Sequence, residues 1–188
     1  MNKRITLRDI AGYCPEDAIW KMVADLGQNI KNNHNCPSSP DGVIVDDLSF
    51  LIDETVTIQE EFLAPEITDG TTQGIKQEIW TLGALIYYAS SGRILFGGHG
   101  GTYQKSHPNV LLPALRKDHQ PLTALMQQCL KNEPEDRIDI NRLVTEAHKG
   151  LENCLKMTRG HKEIAKETSA AIFKNQKENW PEEMKESI

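Results

Sequence analysis

FLAPE at residues 62–66 is the first of three segments that together decide the fold; EIWTLG follows at 78–83 and NEPEDR at 132–137. The middle segment belongs to a run from Ile75 to Ala89 that is apolar on nearly every side. A helix without a polar face is usually buried at the centre of a domain. The pattern therefore predicts a mainly α-helical domain built around one buried helix, with Trp80 in its core.

Helical and alternating periodicity on the N-terminal side predicts two further elements. Apolar residues recur at helical spacing from Ile19 to Ile30 and stop in the polar run 32–35. Two short apolar runs, 43–45 and 49–52, are typical of a β-hairpin. A helix followed by a small hairpin thus precedes the buried helix.

On the C-terminal side, Pro121 is expected to open a helix, and Asp139 is a plausible N-cap for another that reaches about Met157. Residues 92–109 are rich in glycine and are expected to form a loop. The run GGHGG at 97–101 does not indicate a phosphate-binding loop, because it follows no predicted strand and lacks the Gly-Lys-Ser/Thr ending.

Charge and cysteine content bound the function and the compartment. The formal net charge of −6 disfavours nucleic-acid partners and anionic membranes, which require clustered Lys and Arg. The four cysteines lie far apart without a CxxC pair, and no spacing of His and Cys matches a metal cluster. No apolar run approaches membrane length. We expect a cytoplasmic protein without cofactor, metal or membrane insertion.

The order and spacing of the three segments resemble the C-lobe of protein kinases. In that family the Glu of the APE segment pairs with an Arg between the last two helices, and Glu66 and Arg137 stand at the matching positions. The resemblance implies a structural role for both residues, since a carboxylate–guanidinium pair is well suited to fixing geometry. Only about thirty residues precede the expected catalytic loop. The chain therefore resembles a C-lobe without an N-lobe.

The residues that kinase chemistry needs are missing from the matching segments. Kinases carry His-Arg-Asp in the catalytic loop, followed by a metal-binding Asn, and a metal-binding Asp-Phe-Gly after the hairpin. Here Cys36 falls at the catalytic Asp, and Gly42 falls at about the Asn. Asp53 keeps the metal-binding Asp but is followed by Glu54 and Thr55. A thiol at its ordinary pKa is a poor general base, so we expect no kinase activity and no enzyme.

A non-catalytic relative, the KIND (kinase non-catalytic C-lobe) domain, has a similar organisation. ITLRDI at 5–10, Trp20 and the turn from His34 to Asp41 are similar to segments of that family, and the resemblance covers roughly residues 5–150. It implies a protein-interaction module that binds a short basic peptide through an acidic groove. We divide the chain into a KIND-like domain at 1–155 and a charged helix or tail at 156–188.

An acidic segment agrees with this function. No Lys or Arg lies between Pro37 and Ile75, whereas acids are frequent there. A surface of one charge raises the association rate of an oppositely charged partner, although charged runs often serve only solvation. The predicted partner-binding residues are Asp46, Asp47, Asp53, Glu54, Glu60 and Glu61. The segment from Arg93 to Pro108, where kinases often bind partners, is a second candidate surface.

Two alternatives to this interaction module stay open. One is a degenerate phosphotransferase that obtains an N-lobe from another chain and binds Mg²⁺–nucleotide at Asp53. The other is a scaffold fragment whose tail from Lys156 to Ile188 docks or oligomerises. The sequence leaves the oligomeric state open.

Overall fold

The computed structural model of the chain describes residues 4–46, 49–67, 74–116 and 119–178, with side chains described as far as 160 and at 163–164 and 167–168. The fold is mainly helical with one two-stranded antiparallel hairpin, as the sequence predicts for a kinase C-lobe-like domain. The elements are α1 (Leu7–Ile10), α2 (Glu16–Asn33), β1 (Val43–Asp46), β2 (Ser49–Ile52), α3 (Ile75–Ser91), α4 (Leu95–Gly98), α5 (Gly100–Ser106), α6 (Gln120–Cys129) and α7 (Ile140–Glu178).

The central helix is α3, and its neighbours are α2 and α6. Its side chains from Glu78 to Ile86 are all buried, which confirms the buried helix that the sequence predicts. Close approach to α6 requires a glycine in the middle of α3, because a Cβ at Gly83 would lie 2.8 Å from the Cys129 Cβ. The helix ends at Gly92, which adopts a left-handed backbone (φ 69°) typical of a C-cap.

The hairpin packs on α2 and is extended by the N-terminal segment. Val43 pairs with Ile52 at its open end and Asp46 with Ser49 at its closed end. The Asp25 carboxylate on α2 accepts a hydrogen bond from the Phe50 amide at 2.9 Å. On the other edge, the Val45 amide donates to the Ile5 carbonyl at 2.9 Å. The segment before α1 therefore lies directly along β1.

The glycine-rich segment is only partly the loop that the sequence predicts, because it contains the helix α5 and the short kinked turn α4, in which Phe96 and Gly97 have non-helical dihedral angles. Glycine serves close packing here: a Cβ at Gly100 or Gly101 would overlap the carbonyl oxygens of Glu61 and Leu63. On the same helix the buried Gln104 accepts a hydrogen bond from the Trp80 indole and donates one to the Leu130 carbonyl, both at 2.8 Å. These contacts attach α5 to the core.

Helix α7 begins after Asp139, whose carboxylate accepts hydrogen bonds from the Asn141 and Arg142 amides at 2.8 and 3.4 Å. These bonds lower the pKa of Asp139 and supply the expected N-cap. The helix extends to Glu178, well beyond the predicted end near Met157. Contacts divide the chain into units Met1–Leu151 and Glu152–Ile188. Within the described ranges, no helix combines the length and apolarity needed to cross a bilayer.

Candidate functional site

A cleft of about 390 Å³ opens where the resemblance to kinases predicts the catalytic loop. One wall is the segment from Asn33 to Ser39, which begins at the last residue of α2, and the other is the segment from Ile52 to Ile58, which begins at the last residue of β2. The chain turns into the cleft at His34, which has a left-handed backbone (φ 50°) and caps the end of α2. Gly42 and Ile52, at the open end of the hairpin, also line the cleft.

Hydrogen bonds connect the two walls. The Asn35 side-chain amide donates to a Glu54 carboxylate oxygen at 2.8 Å. The Gln59 amide donates to the Ser38 carbonyl at 3.0 Å, and the Asp53 amide donates to the Gly42 carbonyl at 2.9 Å. These bonds hold the predicted counterparts of the catalytic loop and the metal-binding segment against each other.

Both oxygens of the Asp53 carboxylate have donors within the chain. Oδ1 accepts from the Thr55 amide at 3.0 Å and from the Thr55 hydroxyl at 2.6 Å, and Oδ2 accepts from Arg4 Nη1 at 3.1 Å. The hydrogen bonds from Thr55, and more weakly the charge of Arg4, lower the pKa of Asp53. A cation at this carboxylate would compete with these donors, because three of its roughly four lone-pair sites already accept hydrogen bonds.

Cys36 lies in the cleft wall but is only 5% exposed. Burial raises the pKa of its thiol well above the ordinary value, and the negative charge of Glu78 raises it further. Glu78, at the start of α3, is itself 2% exposed, and burial raises its pKa to about 7. Because a protonated thiol neither attacks nor accepts a proton, the chemistry expected of a catalytic Asp is absent at Cys36.

The structure brings Glu66 and Arg137 together as the resemblance implies. Arg137 Nη1 donates to Glu66 Oε1 at 2.6 Å and Nη2 donates to Oε2 at 2.7 Å. The guanidinium also donates to three carbonyl oxygens, of Lys76 at 2.8 Å and of Lys131 and Asn132 at 2.9 Å. All five N–H donors of the guanidinium are thereby used, and its side chain is fully buried.

A second bidentate pair, missed by the sequence reasoning, joins the N-terminal segment to the acidic segment. Arg8 donates through Nε and Nη2 to the two Asp41 oxygens at 2.6 and 2.8 Å. The Arg8 guanidinium lowers the pKa of Asp41, and the carboxylate raises the pKa of Arg8. The segment between Pro37 and Ile75 lacks basic residues, but two of its acids are paired with Arg4 and Arg8 from the N terminus.

The predicted partner-binding acids lie in three places. Asp46 is exposed at the closed end of the hairpin, whereas Asp53 and Glu54 line the cleft at the open end. Glu60 is exposed and Glu61 half-buried in a single 3₁₀ turn against α5. Asp46, Glu60 and Glu61 form no ion pair with another described residue. Asp47 lies outside the described residues.

The second candidate surface, on α4 and α5, carries stacked rings. The Tyr103 ring stacks on the Phe96 ring with centroids 5.8 Å apart and on the His107 ring at 4.1 Å. His99 lies 6.4 Å from Tyr103 in a similar plane. We call Phe96, His99, Tyr103 and His107 the aromatic face. Sequence reasoning placed a loop here, and so it missed that helical spacing aligns Tyr103 with His107.

No group of three or more potential ligands that could hold a metal ion occurs within the described ranges. The four cysteines, Cys14, Cys36, Cys129 and Cys154, are free thiols. Burial raises the pKa of Cys14 to about 11 and that of Cys129 to about 12. The thiols of Cys14 and Cys129 therefore have a small thiolate fraction at neutral pH.

The helical core, hairpin and Glu66–Arg137 pair describe a kinase C-lobe-like fold. No protein-family model matches the chain. Among curated proteins, the chain is similar to the serine/threonine-protein kinase KIPK1 of Arabidopsis thaliana, with 34% identity over 83 residues. That alignment covers 42% of this chain and 9% of the length of the kinase. The similarity indicates a partial relation to protein kinases.

Proposed function

We propose that this chain is a non-catalytic protein-interaction module of the KIND type, which acts in the cytoplasm. It binds a basic or amphipathic peptide segment of a partner through its exposed acids. One observation carries the proposal: some acids of the segment accept hydrogen bonds from residues of the same chain, whereas others face solvent. Asp53 is bonded to Thr55 and Arg4, whereas Glu60 is exposed without an ion pair to any described residue.

The cleft supports a role without catalysis. Phosphoryl transfer requires a carboxylate for the substrate hydroxyl and carboxylate or amide ligands for Mg²⁺. A buried, protonated Cys36 offers no base, and the Asp53 oxygens already accept three hydrogen bonds. Partner binding needs neither group. It needs surface charge that an opposite charge can reach, and the net charge of −6 favours basic partners.

The test is capture of a partner from a lysate of the source cells with three baits. The first is the wild type, and the second carries Lys at Asp46, Glu60 and Glu61. The third is a charge-matched control with Lys at Glu133, Glu135 and Asp136, which are also exposed acids. The proposal predicts a partner that the wild type and the control capture and the second bait loses, with binding weakened by salt. Equal capture by all three baits would refute it.

The alternative, a phosphotransferase completed in trans, gives a different result. It requires Mg²⁺–ATP to bind at Asp53, so the nucleotide should raise the thermal stability of the wild type and not of Asp53→Asn. The interaction module predicts no shift in either protein. A reproducible stabilisation of the wild type alone would favour the phosphotransferase.

A further inference from the structure

The aromatic face presents ring surfaces to solvent instead of burying them. His99 and His107 are exposed, and Phe96 and Tyr103 are half-buried. The Tyr103 and His107 planes lie 12° apart with centroids separated by 4.1 Å. Tyr103 lies on α5 and His107, four residues further on, directly follows its last residue; the two rings stack along one side of the helix. The His107 ring, at the exposed end of the stack, therefore presents one face to solvent.

The backbone at Phe96 has an uncommon conformation. Phe96 has a left-handed conformation (φ 52°, ψ 48°), which is uncommon for a residue other than glycine, and Gly97 continues it (φ 68°). Residues in such conformations persist only where the surroundings hold them. The stack of Phe96 on Tyr103, with ring planes 25° apart, is one of those surroundings. The face is thus preformed.

An acidic turn packs against the helix that carries Tyr103. A Cβ at Gly100 would overlap the Glu61 backbone, so the turn containing Glu60 and Glu61 lies directly against the first turn of α5. Gly100 and Tyr103 are three residues apart and neighbour each other on the helix surface. Lys105, the basic residue of α5, is two residues from Tyr103 and does not share its side of the helix.

We propose that the aromatic face binds an arginine side chain of a basic partner peptide. The planar guanidinium stacks on the ring surface of the Tyr103–His107 pair, and the adjacent Glu60 and Glu61 provide negative charge for the peptide. Arginine is favoured over lysine because its guanidinium stacks on rings and is more weakly hydrated than an ammonium group. This inference rests on the proposed function and names the side chain that the partner supplies.

The experiment compares two short peptides by NMR titration of the α5 backbone amides. One peptide has two arginines separated by glycine, and the other has lysine at the same positions, so that their charges are equal. The proteins are the wild type, Tyr103→Leu, Tyr103→Phe and Tyr13→Leu. Tyr13 is 91% exposed and belongs to none of the ring contacts described above, so it is the matched control.

The wild type should bind the arginine peptide more tightly than the lysine peptide, by at most about five-fold, because that is the full worth of an exposed cation–π contact and lysine makes a weaker one. Tyr103→Phe and Tyr13→Leu should keep this preference, and Tyr103→Leu should lose it. If circular dichroism shows that Tyr103→Leu is unfolded, His107→Leu at the exposed end of the stack replaces it and should weaken the preference.

Equal affinities for the two peptides in the wild type, a preference that survives Tyr103→Leu, or no response of the α5 amides would overturn the inference. Such a result leaves the capture experiment unchanged, because that experiment depends on the acids and not on arginine. Conversely, if the lysine substitutions at Asp46, Glu60 and Glu61 leave capture intact, the proposed function fails. The two failures are therefore distinguishable.

Discussion

Replacing Arg137 by Leu should cost more stability than any other single ion-pair deletion among the pairs described here. The substitution removes three hydrogen bonds to carbonyl oxygens, worth about 1 kcal/mol each. It also leaves the Glu66 carboxylate, whose side chain is 25% exposed, without its bidentate partner. Breaking a buried pair from one side typically costs about 3–5 kcal/mol, and we expect Arg137→Leu to lie in this range.

Urea denaturation followed by circular dichroism measures this cost, and Arg8→Leu is the matched control. The Arg8–Asp41 pair has nearly the same bidentate geometry, at 2.6 and 2.8 Å, but its side chains are 45% and 38% exposed. Exposed pairs contribute about 0–1 kcal/mol because solvent screens them. If Arg137→Leu lost no more stability than Arg8→Leu, the reasoning from burial and donor number would be wrong.

Three further predictions concern two buried side chains, Glu78 and Cys36, and one closely packed glycine, Gly150. Burial raises the pKa of Glu78 to about 7. The folded state therefore favours protonated Glu78, and this stabilisation is full below the unfolded pKa and is lost as pH rises through about 7, by on the order of 3 kcal/mol at most. Glu78→Gln should abolish this decline in stability in urea titrations at several pH values. An unchanged pH profile in the variant would contradict the prediction. A Cβ at Gly150 would lie 2.5 Å from the Trp20 ring, whereas Gly160 has no such neighbour. Gly150→Ala should therefore lower the free energy of unfolding by about 1–3 kcal/mol, seen as a lower melting temperature. Gly160→Ala should raise the melting temperature, because alanine is the better helix former; an equal fall in both variants would count against the packing argument. Cys36 should react with a thiol reagent only upon unfolding, because it is buried with a raised pKa; native-state labelling of Cys36, detected by mass spectrometry, would be inconsistent with that burial.

The fold was predictable where periodicity and local chemistry act over short distances. The apolar run after Ile75 specifies α3, and the alternation around Val43 and Ser49 specifies the hairpin, since each depends on neighbours a few residues away. The segment around Gly100 was mispredicted because glycine has two uses. The sequence alone does not distinguish a glycine that makes a loop flexible from one that is required for packing. Gly100 is of the second kind, because the Glu61 backbone leaves no room for a Cβ.

The candidate site was less predictable, because its contacts join distant residues. Arg8 meets Asp41 across 33 positions, and Arg4 meets Asp53 across 49. The absence of basic residues between Pro37 and Ile75 therefore indicated a more uniformly negative surface than the folded chain presents. The stacking of Tyr103 on His107 had a local signal, their spacing of four residues, but it has meaning only once the segment is known to be helical.

The Arg137–Glu66 pair belongs to the helical framework, whereas the Arg4–Asp53 pair belongs to the cleft. Arg137 is fully buried, and its five donors connect Glu66 with the carbonyl groups of Lys76 in α3 and of Lys131 and Asn132 after α6. That arrangement depends on packing alone and needs no ligand. In the cleft, by contrast, the Asp53 carboxylate, at the position where the kinase resemblance implies a metal, is bonded to Thr55 and Arg4 of its own chain. A carboxylate compensated from within needs no metal to remain ionised. The framework around Arg137 is therefore held by contacts that involve no group of the cleft.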